Sequence, residues 1–143
     1  MATRYPDNGA VAGVPVLMGS AHGLASTQNI IPIVAPFSGR LYAVYITDTA
    51  AITASDTDYI DVTVTNKGAA GAGTTTMATA TTETSATGGL GDVAADVATE
   101  ITLASEYADA CFSAGDVIYV DTTFASSGAF TNGAVHVFGV QGR

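Results

Sequence analysis

The chain has very few positively charged residues. Among its 143 residues are 4 Lys and Arg against 13 Asp and Glu, which gives a formal net charge of −9 at pH 7. Proteins that bind nucleic acids or anionic lipid surfaces are attracted to them through Lys and Arg. The charge balance therefore argues against nucleic acid and membrane surfaces as direct partners.

Cysteine is also scarce. Cys111 is the only cysteine in the chain, which excludes an intramolecular disulfide and any metal site built on paired thiolates. Apolar neighbours flank it on both sides, so we expect a buried and unreactive thiol.

Long hydrophobic runs are missing. No stretch approaches the roughly 18 apolar residues that a membrane-spanning helix needs, and residues 1–9 lack the apolar core of a signal peptide. We therefore expect synthesis in a cytoplasm, with any location outside the cell reached as part of an assembled particle.

The chain has few charged residues of either sign for its length. Charged residues make up 12% of the chain, about half the usual share, and most of the remaining polarity comes from Thr, Ser, Asn and Gly. Such a weakly charged surface favours coverage by other subunits, although a Thr-rich β protein that stands alone has a similar composition. The length fits one domain with a single core.

Residues that carry chemistry are few and dispersed. The two histidines are His22, in a Gly-flanked segment, and His136, between Val135 and Val137. No Cys or second His lies at metal-ligand spacing from His136, so we interpret it as a residue of an outer sheet face or of a subunit contact. Spacing alone does not exclude a Ser-His-Asp triad, but no motif favours one. We predict no catalytic, cofactor-binding or metal-binding residues, and no enzyme.

The acidic residues Asp48, Asp56, Asp58 and Asp61 raise the question of a calcium site, because Ca²⁺ prefers carboxylate and carbonyl oxygens. The Asp56-Thr57-Asp58 segment matches only part of an EF-hand loop, since the central Gly and the terminal Glu are missing. Turn initiation through side chain to backbone hydrogen bonds is the simpler interpretation of these residues.

Patterns of β-branched residues predict strands along most of the chain. Residues 59–65 alternate polar and apolar, which is typical of a half-buried strand. Residues 40–47 are apolar on both faces and predict a central strand between two layers. A Gly115-Asp116 turn leads into another strand at 117–123. The exception is residues 90–98, which we predict as a short helix with Asp92 as its N-cap.

Together these elements predict an all-β protein, an antiparallel β-sandwich or jelly roll of about eight strands with an extended N-terminal arm. The arm comprises residues 1–27 and contains one edge strand at 14–18, where a proline at the second position disfavours the sheet interior. The β-sandwich domain comprises residues 28–143.

Three segments carry a resemblance to a known family. They are residues 33–44 (IVAPFSGRLYAV), 56–60 (DTDYI) and 112–118 (FSAGDVI). In this pattern of turns and apolar strands the chain resembles the capsid decoration, or cement, proteins of tailed bacteriophages. The resemblance implies a jelly-roll homotrimer on the outer capsid surface of a virion, which binds the major capsid protein and stabilises contacts between its subunits. It carries no catalytic or ligand residues.

A second interpretation stays open. Other jelly-roll trimers share the pattern, among them the receptor-binding heads of phage fibres. Exposed tyrosines and phenylalanines in such a head would bind a receptor or a glycan. A hydrolase or isomerase on a jelly-roll frame is a third possibility, which the shortage of histidines disfavours.

Overall fold

The chain folds into two antiparallel β-sheets that pack face to face. The computed structural model describes residues 13–22, 28–125, 130 and 132–142. Within these ranges there is no α-helix, only a 3₁₀ turn at Tyr107–Ala110. The strands are β1 (Pro15–His22), β2 (Gln28–Val34), β3 (Gly39–Thr47), β4 (Ile60–Asn66), β5 (Thr75–Thr81), β6 (Thr99–Ile101), β7 (Cys111–Phe112), β8 (Val117–Phe124) and β9 (Ala134–Gln141).

The strand order is that of a jelly roll. The first sheet has the order β1-β9-β3-β6, with the short β7 also paired to β3, and the second has the order β2-β8-β4-β5. Leaving β7 aside, the first strand pairs with the last, the second with the last but one, and so on inward to β4 with β5. This nested antiparallel pairing rolls one long hairpin into two sheets. The predicted all-β sandwich is confirmed.

The core fills the space between the sheets. In β4 the alternation predicted from the sequence is confirmed, because Ile60, Val62 and Val64 are buried while the residues between them are partly exposed. The largest fully buried side chains come from both sheets and are Phe130, Leu41, Ile46, Ile60, Met77, Ile101, Ile118, Val44, Val62, Val64, Val93 and Val120.

In the central strand β3 a bulge changes the predicted faces. The sequence places Leu41 and Ala43 on one face, but the pairing with β9 shifts register between these two residues. As a result Leu41 and Val44 both join the core, whereas Ala43 does not. A bulge inserts one extra residue and so reverses the alternation beyond it. The prediction that β3 lies between two layers is wrong for the described residues, since only the second sheet packs on it and its other face is the outer face of the first sheet.

Prolines mark the edges on one side of the sandwich. The predicted edge strand at 14–18 is confirmed as β1, which is longer than expected and is hydrogen-bonded along β9 from Pro15 onward. Pro32 lies in the middle of β2, the edge of the second sheet, and is exposed. A proline cannot donate to a ladder, so both edges are poor templates for further strands. The proposed arm boundary at residue 27 and residues 1–12 lie outside the described residues.

The predicted helix at residues 90–98 is wrong. Val93 instead forms an isolated β-bridge with Ile52, in which each backbone N–H donates to the other's carbonyl at 2.8 and 2.9 Å. Both residues are buried in the core, and the carboxylate of Asp92 accepts a hydrogen bond from the Ala54 N–H. A helix this short is marginal on its own, so burial of Val93 decides the local structure.

Asp116 fixes the turn between β7 and β8. Its carboxylate accepts hydrogen bonds from the backbone N–H of Ser113 at 2.9 Å and from the Asn66 amide at 3.0 Å. These two bonds, the backbone bond first, hold the pKa of Asp116 below its ordinary value, against a smaller opposing effect of burial. The turn therefore ties the start of β8 to the end of β4.

We expect Asp116→Asn to destabilise the protein in a pH-dependent way. Because the folded pKa is lowered, the charged Asp116 stabilises the fold above the unfolded pKa of about 3.9, and this stabilisation is lost as the pH falls through the folded pKa. At pH 7 the variant should unfold at a lower urea concentration than the parent, with a free energy of unfolding that is smaller by on the order of 1 kcal/mol. This difference should shrink towards pH 2. Glu106→Gln, which removes an exposed charge, is the control and should unfold at nearly the same urea concentration as the parent at pH 7.

Gly39 lies where β3 meets the backbone of β9 closely. A methyl group added there would collide with the Val140 carbonyl oxygen, whereas one added at Gly139 would meet mainly the flexible Met18 side chain and, at 3.0 Å, the Phe112 ring. We expect Gly139→Ala to cost about 1–3 kcal/mol of unfolding free energy, as overpacking does. Gly39→Ala should cost more, because backbone must move. Urea unfolding of both variants measures the order, and equal costs would contradict it.

Candidate functional site: the outer face of the first sheet

The outer face of the first sheet carries a cluster of apolar side chains between β1, β9 and β3. It faces away from the core, because Val135 and Val137 point inward and the residues that alternate with them point outward. Cross-strand pairing places Leu17 beside Phe138 and Phe138 beside Ala43. We call this surface the aromatic face, and it comprises Leu17, Ser20, Ala43, Tyr45, Thr47, His136, Phe138 and Val140.

Side chains on the aromatic face already pack against one another within one chain. The rings of Tyr45 and Phe138 meet edge to face, with centroids 5.9 Å apart at 81°, a favourable arrangement for aromatic pairs. Ala43 is only 1% exposed although no second layer covers it. Leu17 stays 50% exposed at the β1 edge, and Tyr42, the extra residue of the β3 bulge, stays 53% exposed.

His136 lies in the middle strand of this face and links its neighbours. Its Nδ1 is 2.8 Å from the Ser20 hydroxyl on β1, and its Nε2 is 3.0 Å from the Thr47 hydroxyl on β3. A neutral imidazole has one donor and one acceptor nitrogen, and a hydroxyl serves either. The ring is therefore fully hydrogen-bonded while uncharged, and it connects three strands. This agrees with the interpretation of His136 as a residue of an outer sheet face.

The surroundings of His136 favour its neutral form. Partial burial, and then the neighbouring His22, lower the pKa of the imidazole below its ordinary value. A histidine whose pKa is lower in the folded than in the unfolded protein does not change the free energy of unfolding at alkaline pH. It destabilises the fold as the pH falls below the unfolded pKa of about 6.5.

The aromatic face is nearly free of carboxylates, although the chain is acidic. Glu100, opposite Tyr45 on β6, is the one acidic residue that the described pairing brings to its margin. The outer face of the second sheet is different, since Thr63 and Thr65 of β4 share it with Asp61 and Asp121. The hydroxyls of the aromatic face, Ser20 and Thr47, are instead bonded to His136, and its charged neighbours are Arg40, which pairs with Val140, and Glu100 at the margin.

The contact between Ser20 and His136 raises the question of a nucleophile and base pair. A serine nucleophile needs its histidine oriented by a third group and needs donors for an oxyanion. Here the second ring nitrogen meets the Thr47 hydroxyl instead of a carboxylate. The geometry fits a structural hydrogen-bonded row, Ser20–His136–Thr47, that links three strands.

The acidic residues weighed for calcium do not form one site. No group of three or more His, Cys, Asp or Glu side chains is placed to hold a metal ion in the part of the chain that the structure describes. Asp48 is 3% exposed and accepts the Ala50 N–H at 3.0 Å, while its other oxygen has no partner. Asp56 accepts the Ser85 N–H. The Asp48 contact is a local turn contact, as the simpler interpretation predicts, whereas the Asp56 contact joins two segments that are distant in the chain.

The expectation of a buried thiol is wrong. Cys111 is free and only partly buried, and its thiol donates to the Tyr107 carbonyl at 3.3 Å. It faces outward because its neighbour Phe112 occupies the core position of β7. Beside it the Arg40 guanidinium lies over the Tyr107 ring, 5.5 Å from its centroid.

Alternation along residues 40–47 groups Thr47 with Ala43 and Tyr45, but sequence reasoning did not find Leu17 and Ser20 as members of this face. They lie far from β3 and β9 in the chain, and only the register of β1 on β9 brings them beside His136. The one usable signal is His136 itself, a polar residue between two core valines.

No protein-family model, curated protein or solved structure matches this chain. Among the residues that the structure describes, no helix has the length and apolar character needed to cross a membrane.

Proposed function

We propose that this protein is a structural, non-enzymatic component of a virion. It forms a homotrimer through its aromatic face and decorates the outer surface of a capsid, where it binds the major capsid protein and stabilises contacts between capsid subunits. The observation that carries the proposal is the aromatic face itself, an apolar surface with few carboxylates on an otherwise acidic jelly roll.

Charge supports a second copy of the chain as the occupant of this face. With a net charge of −9, two copies repel each other over most of their surfaces. The aromatic face is where they meet with the fewest carboxylates, because Glu100 lies only at its margin. Its apolar centre, Tyr45 and Phe138, also matches the enrichment of aromatic residues at interface cores.

The size of the face supports the same occupant. Three strands about 4.8 Å apart and about eight residues long span roughly 380 Å² before the relief of side chains is counted. A standard interface buries about 800 Å² per partner, and weaker ones less. The aromatic face, at about half the standard area per partner, is thus the size of a weaker contact between copies.

The proposal that the protein binds a capsid rests on the resemblance to phage decoration proteins, which is carried by residues 33–44, 56–60 and 112–118. A protein that clamps capsid subunits benefits from a rigid β scaffold, and the jelly roll supplies one. Its acidic exterior disfavours binding to nucleic acid released from particles. These features agree with the proposal, and a particle experiment tests it.

That experiment is to purify virus particles from the source of this sequence and to quantify the protein on them by sedimentation and mass spectrometry. A decoration protein should co-sediment with intact particles at a copy number comparable to that of the major shell protein. A few dozen copies per particle would instead indicate a fibre, and absence from particles would refute the proposal.

The second candidate function is a receptor- or glycan-binding head domain. Exposed aromatic side chains favour it, since Tyr107 is 69% and Tyr42 is 53% exposed, and stacking on sugars uses such rings. Binding of the intact protein to a glycan array, lost in Tyr107→Ala and Tyr42→Ala, would support this function in place of decoration.

A further inference from the structure

The aromatic face contains an ionisable group at its centre. His136 lies on β9 between the two flanking strands, and the Ser20 and Thr47 hydroxyls occupy both ring nitrogens at 2.8 and 3.0 Å. Any copy of the chain that covers this face therefore also covers an imidazole. This inference goes beyond the proposed function and rests on it.

We propose that assembly through the aromatic face is acid-labile, and that protonation of His136 is what breaks it. The hydrogen-bonded row is complete when the ring is neutral, because each hydroxyl can donate to or accept from it. A protonated ring donates from both nitrogens and carries a full charge that needs water or a counter-charge.

The charged groups around His136 do not supply that counter-charge. On β1 the ionisable neighbour is His22, which disfavours a second positive charge. After β3 comes Asp48, whose carboxylate accepts the Ala50 N–H at 3.0 Å. On β6 Glu100 pairs with Tyr45, two strands and hence roughly 10 Å of backbone separation from His136, and on β3 the charged residue of this face, Arg40, is itself positive. In the described structure the imidazole has hydroxyl partners and no carboxylate partner.

Covering the face removes the water that remains around the half-buried ring. The protonated form then costs more in the assembled protein than in the free chain, so assembly requires each subunit to release a proton once the pH is below the pKa of the free chain. The association constant of a trimer should fall by up to about tenfold per subunit for each pH unit in that range.

The test is the sedimentation mass of the full chain at one concentration between pH 8 and pH 5, with circular dichroism to confirm that the fold persists. We expect an oligomer at pH 8 that dissociates as the pH falls below the ordinary histidine value of about 6.5. His136→Gln keeps a neutral amide that can donate and accept, and should stay assembled at pH 5. His22→Gln, the matched control on β1, should still dissociate, at a slightly higher pH than the wild-type protein, because the neighbouring His22 lowers the pKa of His136.

The outcomes separate this inference from the proposed function. A wild-type oligomer that persists at pH 5, or a His136→Gln protein that dissociates like wild type, would overturn the acid-labile assembly and leave the homotrimer standing. A folded monomer at pH 8 would overturn the homotrimer itself. If His136→Gln does not fold, the His136 ring resonances in His22→Gln decide the matter by NMR. The pKa of His136 should fall as protein concentration and assembly rise, and a concentration-independent value would contradict the proposal.

Discussion

Replacing Leu17 by Glu should convert the assembled protein to monomers. Leu17 is 50% exposed on β1 and lies beside Phe138, so the free chain tolerates the change. Assembly would bury the new carboxylate against apolar side chains without a partner, at a cost of about 3 kcal/mol or more per subunit. We expect association to weaken by at least about a hundredfold. Size-exclusion chromatography with light scattering measures it.

Ile30→Glu is the matched control for this experiment. Ile30 is 47% exposed on β2, also an edge strand, but it points outward from the second sheet. The same charge is added to the same type of side chain at nearly the same exposure, so the general repulsion between acidic chains changes equally. Ile30→Glu should remain assembled. Dissociation of both variants alike, or of Ile30→Glu alone, would place the interface elsewhere.

The largest loss of stability is expected from Phe130→Ala. Phe130 is 1% exposed, its ring lies 6.0 Å from that of Phe124, and it closes the end of the core where β8 leads to β9. Truncation of a buried phenylalanine typically costs 3–5 kcal/mol, because a cavity remains. For a domain of this size that corresponds to a decrease in Tm of roughly 10–20 °C, measurable by thermal denaturation.

Tyr107→Ala is the control for Phe130→Ala. It removes an aromatic ring of similar size that is 69% exposed and whose ring interaction is with Arg40. An exposed cation–π contact contributes about 0.5–1 kcal/mol. If Phe130→Ala lowered the Tm no more than Tyr107→Ala does, the placement of Phe130 in the core would be wrong.

The sequence was sufficient to predict the fold class and most strands, because β-branched alternation in β4 and apolar runs in β3, β8 and β9 reflect burial directly. It could not predict the faces of β3 correctly, since the bulge after Leu41 depends on pairing with β9. Phe130 was also missed as a core residue. It lies in a segment rich in Gly, Ser and Asn, and its burial comes from tertiary packing.

The helix predicted at residues 90–98 failed for the same reason. Its local propensity was weak, and the bridge between Val93 and Ile52 is a contact between distant segments that no local pattern reports. The candidate site was only partly predictable. His136 was correctly interpreted as a residue of an outer sheet face, but its partners Ser20 and Thr47 follow from the register of three strands.

A crystal or cryo-EM structure of the assembled full-length protein at neutral pH tests most directly whether copies meet through the aromatic face. We expect Leu17, Tyr45 and Phe138 of each copy to lie within about 4.5 Å of a neighbouring copy, with His136 shielded from water. An assembly held together by the Thr-rich outer face of the second sheet, or a chain that stays monomeric with Tyr45 and Phe138 in solvent, would contradict it.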